Sequence, residues 1–465
     1  MSAQPGAGPG EAPDLSNLSL SSKEDFLLFA ETPPRAQPDQ LTRSQVEALS
    51  EAPQADRARR LRVWHANLGP FETPQLADLH EDMWDIIDSN AQDGDKAKGA
   101  IAIDAFPGMG KSTAVMAFAR KYHLREIAEK GRLTPDGHER LPVCRVGLTG
   151  NTSIKELNRA LLEFYGHSGR REGTTAQLAR RALNCAQSCH CRLLIIDDLH
   201  FLRWGRTNGI EVSNHFKFIA NEFPVTLLMI GVGLEAKGLF SEGDSYANAP
   251  LAQTGRRTTK LDMRPFLVDT DQERREWRQL LLAIERKLAL ADKYPGMLAD
   301  DLSDYLFARS TGHIGSLMTL INRGCQRAVR TGAERLDQEL MDKVKNDAAS
   351  EAARKELELA LESRKITTKI TKQRKSSAAL WHPCGPPRSA WPRCRARPST
   401  RGWRHSPTGS TSALATCSAT SVSPPRPGTA SGTARCRQTG RSPCETTRLP
   451  GSRTRRELSR SSSTR

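Results

Sequence analysis

Two short segments of this chain carry residues that could handle phosphate and a metal ion. They are AFPGMGKST at residues 105–113 and LLIIDD at residues 193–198. In the first, backbone N–H groups of a glycine-rich turn and of a helix N-terminus can hold phosphate oxygens. Lys111 can reach the β and γ phosphates, and the Ser112 hydroxyl can ligate magnesium. In the second, Asp197 would hold the magnesium and Asp198 would polarise an attacking water. Together they predict a site for ATP and Mg²⁺.

The residues that would bind the nucleotide are consecutive. They are Pro107, Gly108, Met109, Gly110, Lys111, Ser112 and Thr113. Gly108 and Gly110 permit backbone angles and a close approach that a Cβ atom would block. The loop begins with Ala105 where the consensus has glycine, which weakens the match only slightly because alanine tolerates most turn conformations.

These segments need a sheet to bring them together, and the hydrophobic pattern predicts one. Apolar strands alternate with helices from residue 99 to residue 266, which is typical of a parallel sheet with helices on both faces. Beyond Pro265 only helical patterns follow. We therefore predict an α/β fold: a three-layer P-loop core with a parallel sheet, a small all-helical lid and disordered termini. The predicted segments are a disordered extension (1–55), a pre-core helical segment (56–98), the core (99–266), the lid (267–348), a charged helical extension (349–375) and a basic tail (376–465).

The net charge of +16 suggests nucleic-acid binding but is unevenly distributed. Residues 376–465 contain 16 arginines, no lysine and two acidic residues, so the first 375 residues carry only +2. The tail also lacks the apolar periodicity that a core requires. Two interpretations stay open: a disordered basic tail, or out-of-frame translation of a GC-rich gene. There is no apolar run of transmembrane length and no hydrophobic signal core, which predicts a soluble, cytoplasmic protein without a membrane partner.

The order of several motifs narrows the class of ATPase. Residues of about 57–346 resemble the TniB/TnsC group of AAA+ transposition ATPases. The resemblance rests on FETP at 71–74, the loop at 108–113, GLTG at 147–150, FYG at 164–166, IIDDLH at 195–200, GVG at 231–233, LAQTGRR at 251–257 and TGHIGSL at 311–317. A shifted reading frame over residues 390–406 also resembles the N-terminus of TniQ-type transposition proteins, whose genes travel with this group.

The resemblance implies an ATP-dependent, largely non-sequence-specific DNA-binding regulator. Such a protein forms rings or filaments of identical subunits on DNA, activates a DDE transposase and communicates with a TniQ-like partner. It also implies that Arg256 or Arg257 is an arginine finger that acts on the nucleotide of a neighbouring subunit. The acid position that is commonly Glu is Asp198 here, one methylene shorter, so we expect slow ATP hydrolysis.

Several alternatives stay open at this point. The Arg256 and Arg257 pair, with Lys260, could contact DNA phosphate instead. The chain could be a replication-type initiator or helicase loader, although it shows no helix-turn-helix. It could also be a non-hydrolysing, nucleotide-gated scaffold, although it shows no repeat array. Further candidates are a zinc site at Cys185, Cys189, His190 and Cys191, a sensor at His200, and DNA contacts at Arg203, Trp204 and Arg206 and at residues 365–375.

Overall fold

The computed structural model describes residues 15–93, 96–203, 208–236 and 255–370. Its centre is a parallel sheet with the strand order β2-β3-β4-β1-β5. The strands are β1 Ala100–Asp104, β2 Val143–Gly147, β3 Leu193–Asp197, β4 Thr226–Gly231 and β5 Thr258–Leu261. Every residue of β3 and β4 is buried. Because side chains alternate between the two faces of a strand, both faces of the sheet centre are covered.

Helices lie before and between the strands. They are α1 Lys23–Glu31, α2 Arg43–Glu47, α3 Glu51–Ala66, α4 Pro74–Ser89, α5 Lys111–Lys130, α6 Ile154–Phe164, α7 Thr175–Ser188 and α8 Asn208–Glu222. These helices pack on this sheet or, in the case of α2 and α3, on the helical region that follows it. Local chemistry sets several of the starts. Capping boxes at Ser153 and Thr174 begin α6 and α7, and Pro74 at the first turn follows the N-cap Thr73 in α4.

The region after the sheet is helical and has a hydrophobic core of its own around the fully buried Trp277. Its helices are α9 Asp271–Lys287, α10 Ser303–Ser310, α11 Ile314–Thr331, α12 Gln338–Asp342 and α13 Ala348–Glu362, with a π-helical turn at Met297–Asp301. Helix α13 is joined to α10 by the buried Arg309 guanidinium, which donates to Glu351. The predicted α/β core followed by a small helical lid is confirmed.

The prediction of disorder through residue 55 is wrong for the described part, residues 15–55, which contains α1, α2 and the start of α3. Phe26, which lies in the extension predicted to be disordered, is fully buried between His123 and Phe164. Farther along, Arg57 forms a buried ion pair with Glu334 of the lid, with a distance of 2.7 Å from Nη1 to Oε1. The sequence did not indicate these contacts, because the partners of these helices lie far away in the chain.

The structure also changes some element bounds. Strand β5 was not predicted, and the helix in the predicted charged extension (349–375), α13, begins at Ala348. In the described residues, no helix is both long and apolar enough to cross a membrane; the cytoplasmic location stays a prediction. Several predictions fall outside the described residues: the loop at Trp204 and Arg206, residues 251–253, residues 371–375 and the tail at 376–465.

Candidate functional site

The glycine-rich loop connects the C-terminal end of β1 to the N-terminus of α5, as the sequence predicts. Gly108 and Gly110 have φ angles of 81° and 77°, in the left-handed region that favours glycine. Gly110 is the N-cap residue of α5, and Lys111 is its first residue. The free N–H groups of this 20-residue helix therefore face the loop, which gives the geometry of an anion site.

Lys111 is held against the loop itself. Its Nζ atom donates to the carbonyl oxygens of Ala105 at 2.6 Å and Phe106 at 2.9 Å. Burial lowers the pKa of Lys111, and the carboxylates of Asp104, Asp198 and Asp197 oppose that shift. The ammonium group is thus already positioned over the loop, where a phosphate would supply it with a stronger partner.

Ser112 and Asp197 meet beside the loop. Parallel pairing places Asp197 at the end of β3, opposite Gly147 of β2. The Ser112 Oγ atom lies 3.3 Å from Asp197 Oδ1. The Asp197 side chain is buried, and its second oxygen, Oδ2, accepts from Arg145 Nη2 at 2.8 Å. Sequence reasoning missed Arg145, because an arginine in a short buried strand carries no motif.

Asp198 has a different environment from its neighbour. Its side chain is 53% exposed, and its backbone is left-handed, with φ of 56°. His200 Nδ1 lies 4.0 Å from Asp198 Oδ1. Since Asp197 is buried and Asp198 faces solvent, only the second carboxylate is placed where it could meet a water molecule. The two neighbouring carboxylates therefore differ in exposure, and Asp198 is the more accessible one.

Arg256 and Arg257 lie at the other end of the strands from the glycine-rich loop. Thr258 pairs with Ala100 at the beginning of β1, and Arg257 accepts the Ala100 N–H at its carbonyl oxygen. The Arg257 guanidinium donates to Asn221 Oδ1 at 2.9 Å. Five residues of strand, or about 16 Å, separate this level from the end of β1. The structure therefore does not bring the pair to the glycine-rich loop of the same chain.

The lid contacts the glycine-rich loop directly. Gly315, in the first turn of α11, donates its N–H to the Gly108 carbonyl oxygen at 2.8 Å. A Cβ atom at position 315 would lie only 2.8 Å from that same oxygen. Glycine is therefore required here for close approach of the two backbones. The sequence contained this signal in TGHIGSL, but its contact with the loop depends on tertiary structure.

A cavity of about 540 Å³ opens beside this contact, a size that is typical of sites for small molecules. Its walls come from the pre-core segment (Phe71, Leu76), from the loop and α5 (Met109, Thr113) and from the lid (Met318). The cavity is mostly apolar and adjoins the N-terminus of α5. A flat aromatic base attached to a phosphate chain would therefore place its base here.

The residues present fit a magnesium nucleotide. Oxygen donors from Ser112 and Asp197 converge, as magnesium prefers, and the two glycines leave room for phosphate oxygens. The zinc alternative does not gain support: the described residues contain no cluster of His, Cys, Asp and Glu arranged for a metal. Burial raises the pKa values of Cys185 and Cys191 to about 11, so these thiols stay protonated near neutral pH.

A second charged region, here called the arginine loop, spans residues 159–181. Arg159, Arg170 and Arg181 donate to backbone carbonyl oxygens of residues 167–172. Arg171 and Arg180 are exposed. No carboxylate within the described residues forms an ion pair with any of these five guanidinium groups. Arg171 and Arg180 therefore present positive charge at the surface.

Comparison with known proteins agrees with this architecture. Residues 93–240 match the AAA domain family, and the fold is the AAA+ P-loop fold. Orc1 of Aeropyrum pernix in complex with DNA is 17% identical over 64% of this chain and 68% of that chain, with a TM-score of 0.41. Cdc6p from Pyrobaculum aerophilum is 12% identical over 58% and 66%, with a TM-score of 0.42.

A third solved structure, the Drosophila ORC bound to DNA, is 13% identical over 69% of this chain and 72% of that one, with a TM-score of 0.42. No curated protein sequence matches this chain. Likenesses with TM-scores and identities this low carry no argument about this chain. Function must therefore be argued from the residues of the site.

Proposed function

We propose that this protein is an ATP-dependent, DNA-binding transposition regulator that hydrolyses ATP slowly to ADP and phosphate. The observation that carries the nucleotide part is the convergence of Lys111, Ser112 and Asp197 around a loop with two left-handed glycines. Proteins with an AAA domain in general use a nucleotide and Mg²⁺. In this proposal residues 107–113 bind the phosphates, and Ser112 and Asp197 hold the Mg²⁺.

Each residue has a defined task in hydrolysis. Lys111 would exchange its two carbonyl partners for phosphate oxygens. Bound Mg²⁺ neutralises charge that develops on the phosphates. Asp198 would orient the attacking water from its exposed position, and its short side chain predicts slow turnover.

The position of Arg256 and Arg257 supports the oligomeric part of the proposal. Because they lie about 16 Å from the end of β1 that carries the glycine-rich loop, neither can serve the nucleotide of its own chain. A guanidinium at this end of the strands could reach a nucleotide only across an interface between two subunits. Arginine finger residues that act in this way make nucleotide hydrolysis depend on assembly.

The arginine loop supports the DNA part. The exposed guanidinium groups of Arg171 and Arg180 attract a polyanion, and contacts to phosphate carry no sequence information. Between residues 154 and 181, six basic residues accompany three acidic ones. We therefore assign duplex DNA backbone as the partner of this surface. The Arg256 and Arg257 patch is the competing DNA surface.

The transposition role rests on the sequence resemblance to the TniB/TnsC group. It implies a DDE transposase and a TniQ-like protein as partners, and a ring or filament as the active assembly. A replication-type initiator is the alternative, since it would share the core and the lid. The two candidates differ in the DNA that they require: any duplex in the first case, a defined sequence in the second.

The deciding experiment uses the full chain with random-sequence duplex DNA, and compares ATP, ADP and a slowly hydrolysed ATP analogue by electron microscopy and sedimentation. Lys111→Ala is the test variant, and Lys121→Ala on the same helix is its matched control. We expect ATP-dependent rings or filaments on DNA that Lys111→Ala loses and the control keeps. Binding of a DDE transposase to the assembled form alone would add support for transposition.

Two outcomes would contradict the proposal. ATP binding without any assembly on DNA would favour the nucleotide-gated scaffold. Assembly restricted to one defined sequence would favour the replication-type initiator. Nucleotide affinity itself should fall at least about tenfold in Lys111→Ala, which corresponds to about 1.4 kcal/mol.

A further inference from the structure

The two oxygens of the Asp197 carboxylate have different partners. Oδ1 lies 3.3 Å from Ser112 Oγ and accepts the Asp198 N–H at 3.0 Å. Oδ2 accepts from Arg145 Nη2 at 2.8 Å. One oxygen thus faces the serine that would share a metal ion with it, whereas the other faces a cation that the protein itself supplies.

Arg145 is built into the sheet rather than placed on a mobile surface. It lies in β2, where it pairs with Ile195, and Gly147 two residues later pairs with Asp197. Its guanidinium crosses over Gly147, about 3.5 Å from the position that a Cβ atom there would occupy. The Arg145 side chain is 19% exposed, and its Nε atom has no hydrogen-bond partner among the described residues. The contact with Asp197 is therefore the main polar contact of this side chain.

The ion pair defines the orientation of the carboxylate. Without Arg145, a nearly fully buried carboxylate would keep only a hydroxyl and one backbone N–H as donors, both on Oδ1. Rotation about the Cβ–Cγ bond would then no longer be opposed from the Oδ2 side. Residues that hydrogen-bond to a metal-binding carboxylate fix its orientation, and their loss typically weakens metal binding by about 10-fold to 100-fold.

We propose that Arg145 is a positioning residue that holds Asp197 Oδ2, so that Oδ1 faces Ser112 and the Mg²⁺ that accompanies the nucleotide. This inference rests on the proposed nucleotide site and assigns to it a residue that no sequence motif contains. Arg145 contacts neither the nucleotide nor the metal in this role. Its effect is therefore confined to the magnesium-dependent part of nucleotide binding.

The test measures binding of a fluorescent ATP analogue to the full chain, first in EDTA and then during a Mg²⁺ titration. The variants are Arg145→Met, which keeps an unbranched apolar side chain but removes the charge, and Arg145→Lys, which keeps the charge. Arg125→Met is the matched control, because Arg125 forms its ion pair with Asp88, at 2.7 Å, and lies in α5 more than three turns beyond Ser112. Thermal unfolding of each variant reports whether the fold persists.

We expect Arg145→Met to bind the analogue in EDTA as the wild type does, but to require at least about tenfold more Mg²⁺ for half of the magnesium-dependent signal. Arg145→Lys should restore part of the response, and Arg125→Met should leave it unchanged. An unchanged Mg²⁺ midpoint in Arg145→Met would overturn the inference, as would a lower midpoint, which would make Arg145 a competitor of Mg²⁺. Failure of the wild type to bind any nucleotide would instead overturn the proposed function.

Discussion

The nucleotide site and the arginine loop treat charge in opposite ways. At the site, Asp197 is paired with Arg145, and the carboxylates of Asp104, Asp198 and Asp197 interact electrostatically with the Lys111 ammonium group. In the arginine loop, the guanidinium groups that have partners bind backbone carbonyl oxygens, and none binds a carboxylate. In a preorganised site the fold places opposite charges next to each other, whereas on a surface that binds a polyanion the positive charges stay available to the ligand.

The largest expected effect comes from removing one charge of the buried pair. Asp197→Asn leaves the Arg145 guanidinium without its anion, and breaking such a pair typically costs about 3 kcal/mol or more. Chemical denaturation should therefore show a lower apparent free energy of unfolding. Asp88→Asn, at the exposed pair with Arg125, should cost under about 1 kcal/mol. Equal losses of unfolding free energy in the two variants would contradict the difference between the buried and the exposed ion pair.

The arginine loop should respond in the reverse manner. The double variant Arg171→Glu, Arg180→Glu changes exposed residues, so its stability should stay within about 0.5 kcal/mol per substitution. Its affinity for duplex DNA should fall. The negative slope of the logarithm of the association constant against the logarithm of the salt concentration should become shallower by about 0.9 for each lost phosphate contact. Fluorescence anisotropy at several salt concentrations measures both quantities. Arg275→Glu on lid helix α9, also exposed, is the control that should leave DNA binding intact.

Substitutions at Asp198, within the nucleotide site, should have a smaller effect. Asp198→Glu restores the more common acid and moves the carboxylate one methylene outward, so single-turnover phosphate release should become several-fold faster. Asp198→Asn should slow it, because the amide cannot accept the proton of the attacking water. Nucleotide affinity should change little in either variant. A faster reaction in Asp198→Asn would exclude the catalytic assignment.

The smallest expected effect concerns packing around the loop. In Gly315→Ala the new Cβ atom would approach the Gly108 oxygen to 2.8 Å, so the lid must shift away from the loop. We expect a few-fold loss of nucleotide affinity, measured by fluorescence titration. Gly150→Ala is the matched control in the segment that leads to α6, since a Cβ atom there meets nothing within 4 Å. Similar losses in both would show that the lid contact is unimportant for binding.

The amphipathic helices and buried strands of the core could be predicted with good bounds because their signals are local. Helix α6, for example, follows a capping box at Ser153 and ends at Phe164. Strand β5 could not be predicted, since TTKL has only one buried residue and is a strand only because β1 offers its edge. Phe26 was misjudged for the same reason: its partners His123 and Phe164 are about a hundred residues away or more.

The sequence by itself determined the class of fold and the residues that would meet a phosphate, because Gly108 to Thr113 and the aliphatic strand before Asp197 act through local backbone geometry. Tertiary structure alone decided the rest: the pairing of Arg145 with Asp197, the approach of Gly315 to Gly108, and the separation of Arg257 from the loop. These features join residues between about 50 and 200 positions apart. Their energies depend on distances that only the packed sheet and lid establish.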